Sequence, residues 1–340
     1  MKRAVVLGAG GFIGQHLVAR LVDEGVWVRG VDLAPPAFAP SRADDFVVAD
    51  LCEPQACAQV LESPDGGGVD EVYQLAADMG GADYVFSGRH DFSIVSNSGR
   101  INHHVAAACA ARPPGRIFFA SSACVYPRAN QADPERIDCR EDMAYPAEPD
   151  SPYGLEKLMA EAIYRQLGRA TGIPVRIARY HNIFGPHGAW NDGREKAPAA
   201  LCRKVARAPE DGVVGVYGDG RQRRSFLDIG EALDGTLAVM RGTDPAPFNV
   251  GSAETVTIAG LANLIAEVAG KRVRLAFEPD KPTGVRARTS DNRRIAARLG
   301  WWPSEPLRDG LARLYPWVAA RVAETEGEGA SGASRCAAAS

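Results

Sequence analysis

A glycine-rich turn near the N-terminus constrains this chain more than any other feature. Gly8-Ala9-Gly10-Gly11-Phe12-Ile13-Gly14 follows the apolar run Ala4–Leu7 and opens an amphipathic stretch, Ile13–Glu24. Residues without a Cβ permit a tight strand-to-helix turn and close approach of a pyrophosphate. The free N–H groups and dipole of a helix N-terminus then favour the negative charge. Gly8, Gly11, Phe12, Ile13 and Gly14 are the candidate phosphate cradle. Such a site needs an acid at the end of the second strand for the ribose hydroxyls, and Asp32 stands 18 positions beyond Gly14. A carboxylate there repels a 2′-phosphate, which predicts NAD over NADP. Arg29 and Arg42 lie nearby and argue the other way. The plainer alternative is a structural turn beside a solvated aspartate.

The rest of the first half repeats the same rhythm. Apolar runs at Val26–Val31, Phe46–Val48, Glu71–Leu75, Arg116–Ala120 and Pro174–Ala178 alternate with stretches of helical periodicity, including Arg100–Ala111 and Tyr153–Thr171. This alternation predicts an α/β fold: a doubly wound parallel sheet of the Rossmann kind over residues 1–180. Asp50 and Leu51 end the third run, where an adenine edge would lie, and Ala76 follows the fourth, where a small residue admits a cofactor. From 181 the rhythm changes. His181–Arg194 reads as a loop, Lys196–Arg207 and Val256–Gly270 as helices, Val273–Phe277 as a strand and Leu307–Glu324 as a last helix. Residues 181–324 are expected to form a smaller substrate-binding region, with segments around 225–252 returning to the sheet. The Gly/Ala/Ser-rich stretch 325–340 is expected to be a disordered tail.

Composition excludes other classes. Basic and acidic residues number 39 and 42, a net charge of −3, so no field exists to hold nucleic acid or an anionic membrane. No apolar run is long enough for a membrane span. Seven scattered cysteines without a C-x-x-C pair argue against disulfides or structural zinc, and for a reducing cytoplasm. No metal spacing accompanies the histidines.

Tyr153-Gly154-Leu155-Glu156-Lys157 carries the chemistry. Tyrosine and lysine four apart share one helix face. A free phenol is a poor base at neutral pH, and an adjacent ammonium together with an oxidised nicotinamide would lower its pKa. Ser121 and Ser122 close the fifth run, placed to hydrogen-bond a reacting oxygen. An ordinary surface pair is the default for such spacing; the glycine turn and the strand-end serines displace it.

With these motifs the chain resembles the extended short-chain dehydrogenase/reductase superfamily over about residues 1–320. That resemblance implies tightly held, recycled NAD, with Tyr153 as base and acid. Three stretches narrow it: Ala76-Ala77-Asp78-Met79-Gly80-Gly81, Ser121-Ser122-Ala123-Cys124-Val125-Tyr126-Pro127, and His181-Asn182-Ile183-Phe184-Gly185-Pro186 running on to Arg194-Glu195-Lys196-Ala197-Pro198. They are similar to the GDP-mannose 3,5-epimerases. The resemblance implies a GDP-sugar substrate, a transient 4-keto sugar, and Cys124 with Lys196 as the acid/base pair that exchanges protons at C3 and C5. Their plainer readings are a small buried hydrophobe and a solvated lysine. It further implies substrate contacts from Gly80, Ser122, Asn182, Glu195, Lys196, Lys204, Gln222, Arg224 and one of Arg286 or Arg288, and a homodimer. The stretch Ala82–Asp91 departs from the family pattern, and Gly230 stands where an acid is usual. Inversion at C4 alone, on a GDP-linked sugar that includes one larger than a hexose, therefore stays open. A GDP-sugar 4,6-dehydratase is disfavoured because Ser122-Ala123-Cys124 lacks the usual Thr-Asp/Glu-Glu triplet. A non-catalytic NAD-binding protein is disfavoured by the intact Tyr153/Lys157 pair.

Overall fold

A computed structural model describes residues 1–62 and 66–337, with side chains through Glu326. Six strands come from the first half: β1 (Arg3–Leu7), β2 (Trp27–Asp32), β3 (Asp45–Val48), β4 (Glu71–Gln74), β5 (Arg116–Ser122) and β6 (Val175–Tyr180). A seventh, Phe248–Val250, arrives from the second half and pairs with β6. All pairings are parallel, in the order 248–250, β6, β5, β4, β1, β2, β3. The chain leaves β1 in one direction for β2 and β3, and in the other for β4 to β6. The carboxyl ends of β1 and β4 therefore border the crevice where such sheets bind ligands.

Both faces are covered, which is why the strands read as continuous apolar runs. α1 (Phe12–Asp23) and the helix Ile229–Arg241 pack Leu17, Leu21, Leu233 and Leu237 on one face. α2 (Pro54–Val60), α4 (Asp91–Ala111) and α5 (Pro152–Thr171) cover the other, where Val5, Leu7, Ile117 and Phe119 meet Cys57, Val105 and Tyr164. α3 (Ala82–Phe86) is a short helix in the stretch after β4. A third core belongs to the second half, with α6 (Ala197–Arg207), the helix Ile258–Val268 and the start of the last helix.

Local boundaries differ from the expectations for identifiable reasons. α4 starts at Asp91 rather than near Arg100, because its first buried positions include Ser98 and Asn102, which break the apolar stripe. Lys196 caps α6 instead of entering it, since Pro198 suits the first helical turn. Thr257 caps the helix at 258 by accepting from Gly260 N–H at 2.9 Å, and Thr255–Thr257 forms a strand instead. The expected loop 181–194 contains a short strand, Ile183–Phe184, paired with Leu227–Asp228. The last helix, Leu307–Ala337, runs through most of the expected disordered tail; residues 338–340 lie outside the described residues. Among the described residues no helix is long and apolar enough to cross a membrane.

Candidate active site

The glycine turn is forced by contact. Gly8 has φ +87°, and a Cβ there would stand 2.8 Å from Ala76 N. A Cβ on Gly14 would meet the Gly8 carbonyl at 1.9 Å, so α1 starts hard against the turn. Gly11 is different: only the Gly8 carbonyl approaches it, at 3.3 Å, and the helix it opens has no side-chain cap. The N–H groups at the start of α1 are left for an anion. Asp32 Oδ2 accepts from Gly10 N–H at 2.9 Å and Gly11 N–H at 3.1 Å, and Oδ1 accepts from Leu33 N–H at 2.7 Å. Burial raises its pKa despite these bonds. The acid thus shapes the turn as well as facing the ribose position. The two basic residues that argued for NADP are engaged elsewhere. Arg29 is buried and donates to Asp45 at 2.7 Å, Arg42 pairs with Asp23 at 2.7 Å, and neither lines the cavity. These residues fit NAD. Asp50 caps its own turn, accepting from Cys52 N–H at 2.8 Å, while it, Leu51 and Ala76 line the cavity wall.

One cavity of about 1170 Å³ runs from this turn into the second half of the chain. Every candidate side chain or turn residue borders it except Arg286. Arg286 instead pairs with Asp219 at 2.9 Å on the surface. Arg288, two residues on, is buried in the cavity wall.

Tyr153 and Lys157 sit on the buried face of α5. Ser151 caps that helix, accepting from Gly154 N–H, with Pro152 in its first turn. The Lys157 ammonium donates to Ala120 C=O at 3.1 Å and lies 5.8 Å from the Tyr153 ring centre. Burial lowers the Lys157 pKa, opposed by Glu156. Burial raises Tyr153, Cys124 adds to the rise, and a hydrogen bond with Ser122 opposes it. The expected depression of the phenol is therefore not produced by the chain's own groups; the charge of an oxidised nicotinamide is what would lower it.

The two serines divide. Ser122 accepts from Cys124 N–H at 3.2 Å and faces Tyr153, while Ser121 donates to Glu161 at 2.6 Å beneath the sheet end. Glu161 is also held by Arg179 through two bonds of 2.8 Å. His181 belongs to the same buried layer, bonded to Asn249 at 2.9 Å and lowered by burial to about 3.

Cys124 packs in a small apolar cluster with Tyr153, Val85 and Ile94. Burial raises its pKa and Asp150 adds to the rise, while Arg288, donating to its sulfur at 3.2 Å, opposes it. Lys196 is lowered by burial, and Cys124 acts on it in the opposite sense. The cysteine and lysine, far apart in sequence, thus feel each other across one cavity.

Other candidates have partners of their own. Glu195 is held by Arg203 at 2.5 Å and by Gly193 N–H at 2.7 Å, so it shapes its loop. Asn182, at φ 48°, donates to Ser225 C=O at 2.9 Å. Lys204 donates to Gly215 C=O at 2.7 Å and lies over the Tyr217 ring. Gln222 is buried and its Oε1 has no partner among the described residues. Arg224 donates to Thr283 C=O at 3.0 Å, and burial beside Arg288 lowers it to about 9. Gly80 and Gly81 let the loop after β4 close on its neighbours: a Cβ on Gly81 would stand 2.1 Å from Glu195 C=O.

Sequence reasoning missed two supports. Arg194 donates to Tyr84 Oη at 3.0 Å and covers its ring at 4.2 Å, and Tyr84 donates to Asp78 at 2.7 Å. This joins the loop carrying Lys196 to the stretch that departs from the family pattern. The second is Asp150 with Gln131 behind Arg288, whose only sequence signal is the capping residue next to Asp150.

The family model for the NAD dependent epimerase/dehydratase family matches residues 4–251. GDP-mannose 3,5-epimerase of Arabidopsis thaliana is 37% identical over 326 residues, 95% of this chain and 84% of that protein. UDP-glucuronic acid decarboxylase 2 of the same plant is 29% identical over 343 residues, 97% of this chain and 71% of that protein. UDP-glucose 4-epimerase of Thermotoga maritima, solved with UDP-glucose, shares the fold at a TM-score of 0.79 and 22% identity, covering 93% of this chain and 98% of that one. The match spans the glycine turn, the parallel sheet and the Tyr153/Lys157 helix, so the chain belongs to the NAD dependent epimerase/dehydratase family, with NAD as its cofactor.

Proposed function

We propose that the protein epimerises a GDP-activated sugar of the GDP-mannose type through a transient 4-keto sugar, exchanging protons at C3 and C5. The observation that carries this reading is the meeting of Cys124, Lys196 and Tyr153 in one cavity. The relatives named GDP-mannose 3,5-epimerase support it at 37% identity.

Bound NAD supplies the acceptor for the C4 hydride and later its donor. Tyr153, facing Ser122, takes the proton of the C4 hydroxyl, and Lys157 on the same helix face is placed to hold the nicotinamide ribose. The ketone acidifies the hydrogens on C3 and C5. Of Cys124 and Lys196, one then removes a proton and the other returns one to the opposite face. Tyr153 finally gives its proton back to the C4 oxygen, and no cofactor is consumed. Arg224 and Lys204 supply cationic groups for the diphosphate end of the cavity, while Arg288, in register with Arg224 on the paired strand, turns its guanidinium to Cys124. Gln222, with its free buried oxygen, and Asn182 serve the nucleotide end of the cavity.

Inversion at C4 alone is the second reading. It is favoured by Val85 and Phe86 on the departing stretch, which wall the cavity beside Cys124 and Tyr153. Incubation with GDP-mannose in deuterated water separates the two. The proposal expects deuterium at C3 or C5 by mass and coupling constants. Epimerised product without solvent deuterium would transfer the assignment to C4.

The protein acts as a homodimer through the outer face of α4 and α5, where Phe92, Val95, Leu155 and Met159 are exposed together. The six cysteines among the described side chains are free and buried, which suits a reducing compartment, the cytoplasm.

A further inference from the structure

Arg288 reaches Cys124 by a route that the reaction chemistry alone does not require. Its guanidinium is nearly buried and uses three separate donors. Nε donates to Gln131 Oε1 at 2.6 Å, Nη1 to Cys124 Sγ at 3.2 Å, and Nη2 to the Asp150 carboxylate. Gln131 is itself fixed, donating to Tyr126 C=O at 3.0 Å and Pro127 C=O at 3.2 Å. Asp150 is tied still more closely to the catalytic helix. Its backbone N–H donates to Cys124 C=O at 3.3 Å. Its Oδ1 accepts from Ser151 Oγ at 2.8 Å, and the same Ser151 hydroxyl caps α5 one residue before Pro152-Tyr153. The Asp150 side chain is fully buried.

We propose that Asp150 is a positioning residue for proton exchange at Cys124, acting through Arg288. It clamps the guanidinium in the one orientation that aims Nη1–H at the sulfur. A buried guanidinium left without its carboxylate has reason to turn toward solvent or other acceptors. The pairing matters in the exchange step itself. When Cys124 returns a proton, the S–H bond breaks, a C–H bond forms at the sugar carbon, and a thiolate remains. That thiolate needs a charge-assisted donor, which Arg288 Nη1–H supplies. In the reverse sense the thiolate takes a proton from carbon and the contact relaxes. The paired carboxylate also cancels the cation's charge, so the donor is delivered without holding Cys124 permanently ionised: Arg288 draws the thiol down and Asp150 pushes it up. Arg224, on the neighbouring strand, donates to the carbonyls of Arg223, Thr283 and Val285 instead.

This inference rests on the exchange chemistry proposed above, and the test separates the two. The variants are Asp150→Asn, Arg288→Gln and the double variant, which removes both buried charges and so guards against misfolding. Each is purified with its NAD and given GDP-mannose. Two signals are read: C4 oxidation as reduced-nicotinamide absorbance in a single turnover, and deuterium uptake from solvent. Asp150→Asn is expected to lower deuterium uptake at least about tenfold, while C4 oxidation stays within about twofold. In the Arg288→Gln background the same change should cost less than about twofold, because its route of action is gone. Unchanged uptake, an equal loss of both signals, or additive effects would overturn the proposal. A crystal structure of Asp150→Asn gives a readout that needs no substrate. Arg288 should have left Cys124, and a retained contact would refute the positioning role. If the unmutated enzyme takes up no deuterium, the proposed function fails, and the crystal structure still decides the role of Asp150.

Discussion

The carbonyl oxygen of Cys124 stands 2.0 Å from where a Cβ on Gly154 would lie. The N-terminal turn of α5 is thus pressed onto the turn that follows β5. That contact sets the spacing between Tyr153 and Cys124, which share one apolar cluster. The obstructing atoms are backbone and have no rotamer to escape into.

Gly154→Ala should therefore move the helix start rather than a side chain. We expect a loss of about 1–3 kcal/mol in stability from overpacking. A displacement of about 1 Å at Tyr153 should lower C4 oxidation on the order of 10²-fold. Thermal denaturation and single-turnover absorbance measure the two effects. Full activity at unchanged stability would show that the contact is not what places Tyr153.

Asp32→Ala removes the acceptor of three backbone N–H groups as well as the carboxylate at the end of β2. It should weaken NAD by calorimetry without creating a preference for NADP, since Arg29 and Arg42 are paired elsewhere. Tighter binding of NADP than NAD by the unmutated protein would contradict the assignment.

Tyr153→Phe should retain NAD and lose C4 oxidation by about 10²–10⁴-fold, because one group serves as both base and acid. The pH dependence has a definite sign. Burial raises the phenol, so without oxidised cofactor it ionises only at alkaline pH. Binding of a positively charged ring lowers it, so the phenolate absorbance near 295 nm should appear at lower pH with NAD⁺ than with NADH. Identical titrations in the two complexes would exclude this tuning.

Cys124→Ser separates the two stages of the reaction. A serine hydroxyl is far less acidic than a thiol, so proton exchange at C3 or C5 should fall while C4 oxidation survives. Rapid-quench measurement of reduced cofactor alongside deuterium uptake reads both. Full turnover with undiminished exchange would remove Cys124 from the mechanism.

The exposed face of α4 and α5 offers a test independent of chemistry. Phe92 is 86% and Met159 62% exposed. Charging both, as Phe92→Asp with Met159→Asp, should turn a dimer into a monomer in light scattering, with NAD still bound. A monomeric unmutated protein would refute the dimer.

The cofactor half of the site was legible in the chain because its determinants are local. The glycine turn and the Tyr153/Lys157 pair each depend on spacing within one turn or one helix, where neighbours in sequence remain neighbours in space, and Asp32 is one strand–helix–strand unit from the turn, a separation the parallel sheet fixes. The alternation of strands and helices was legible for the same reason, although α4 began nine residues early once Ser98 and Asn102 proved to be buried polar positions. What the tertiary structure decided lies where the outcome depends on partners distant in sequence. Ser121 and Ser122 look equivalent in sequence, but successive strand residues face opposite sides, sending one to Glu161 and the other to Tyr153. Arg286 and Arg288 would share a face on one continuous strand. Pairing begins only at Ala287, so Arg286 turns out to Asp219 and Arg288 turns in to Cys124. Asp150 carried no catalytic signal of its own. Its significance comes from a guanidinium 138 residues away, which only the packed second half of the chain brings to it.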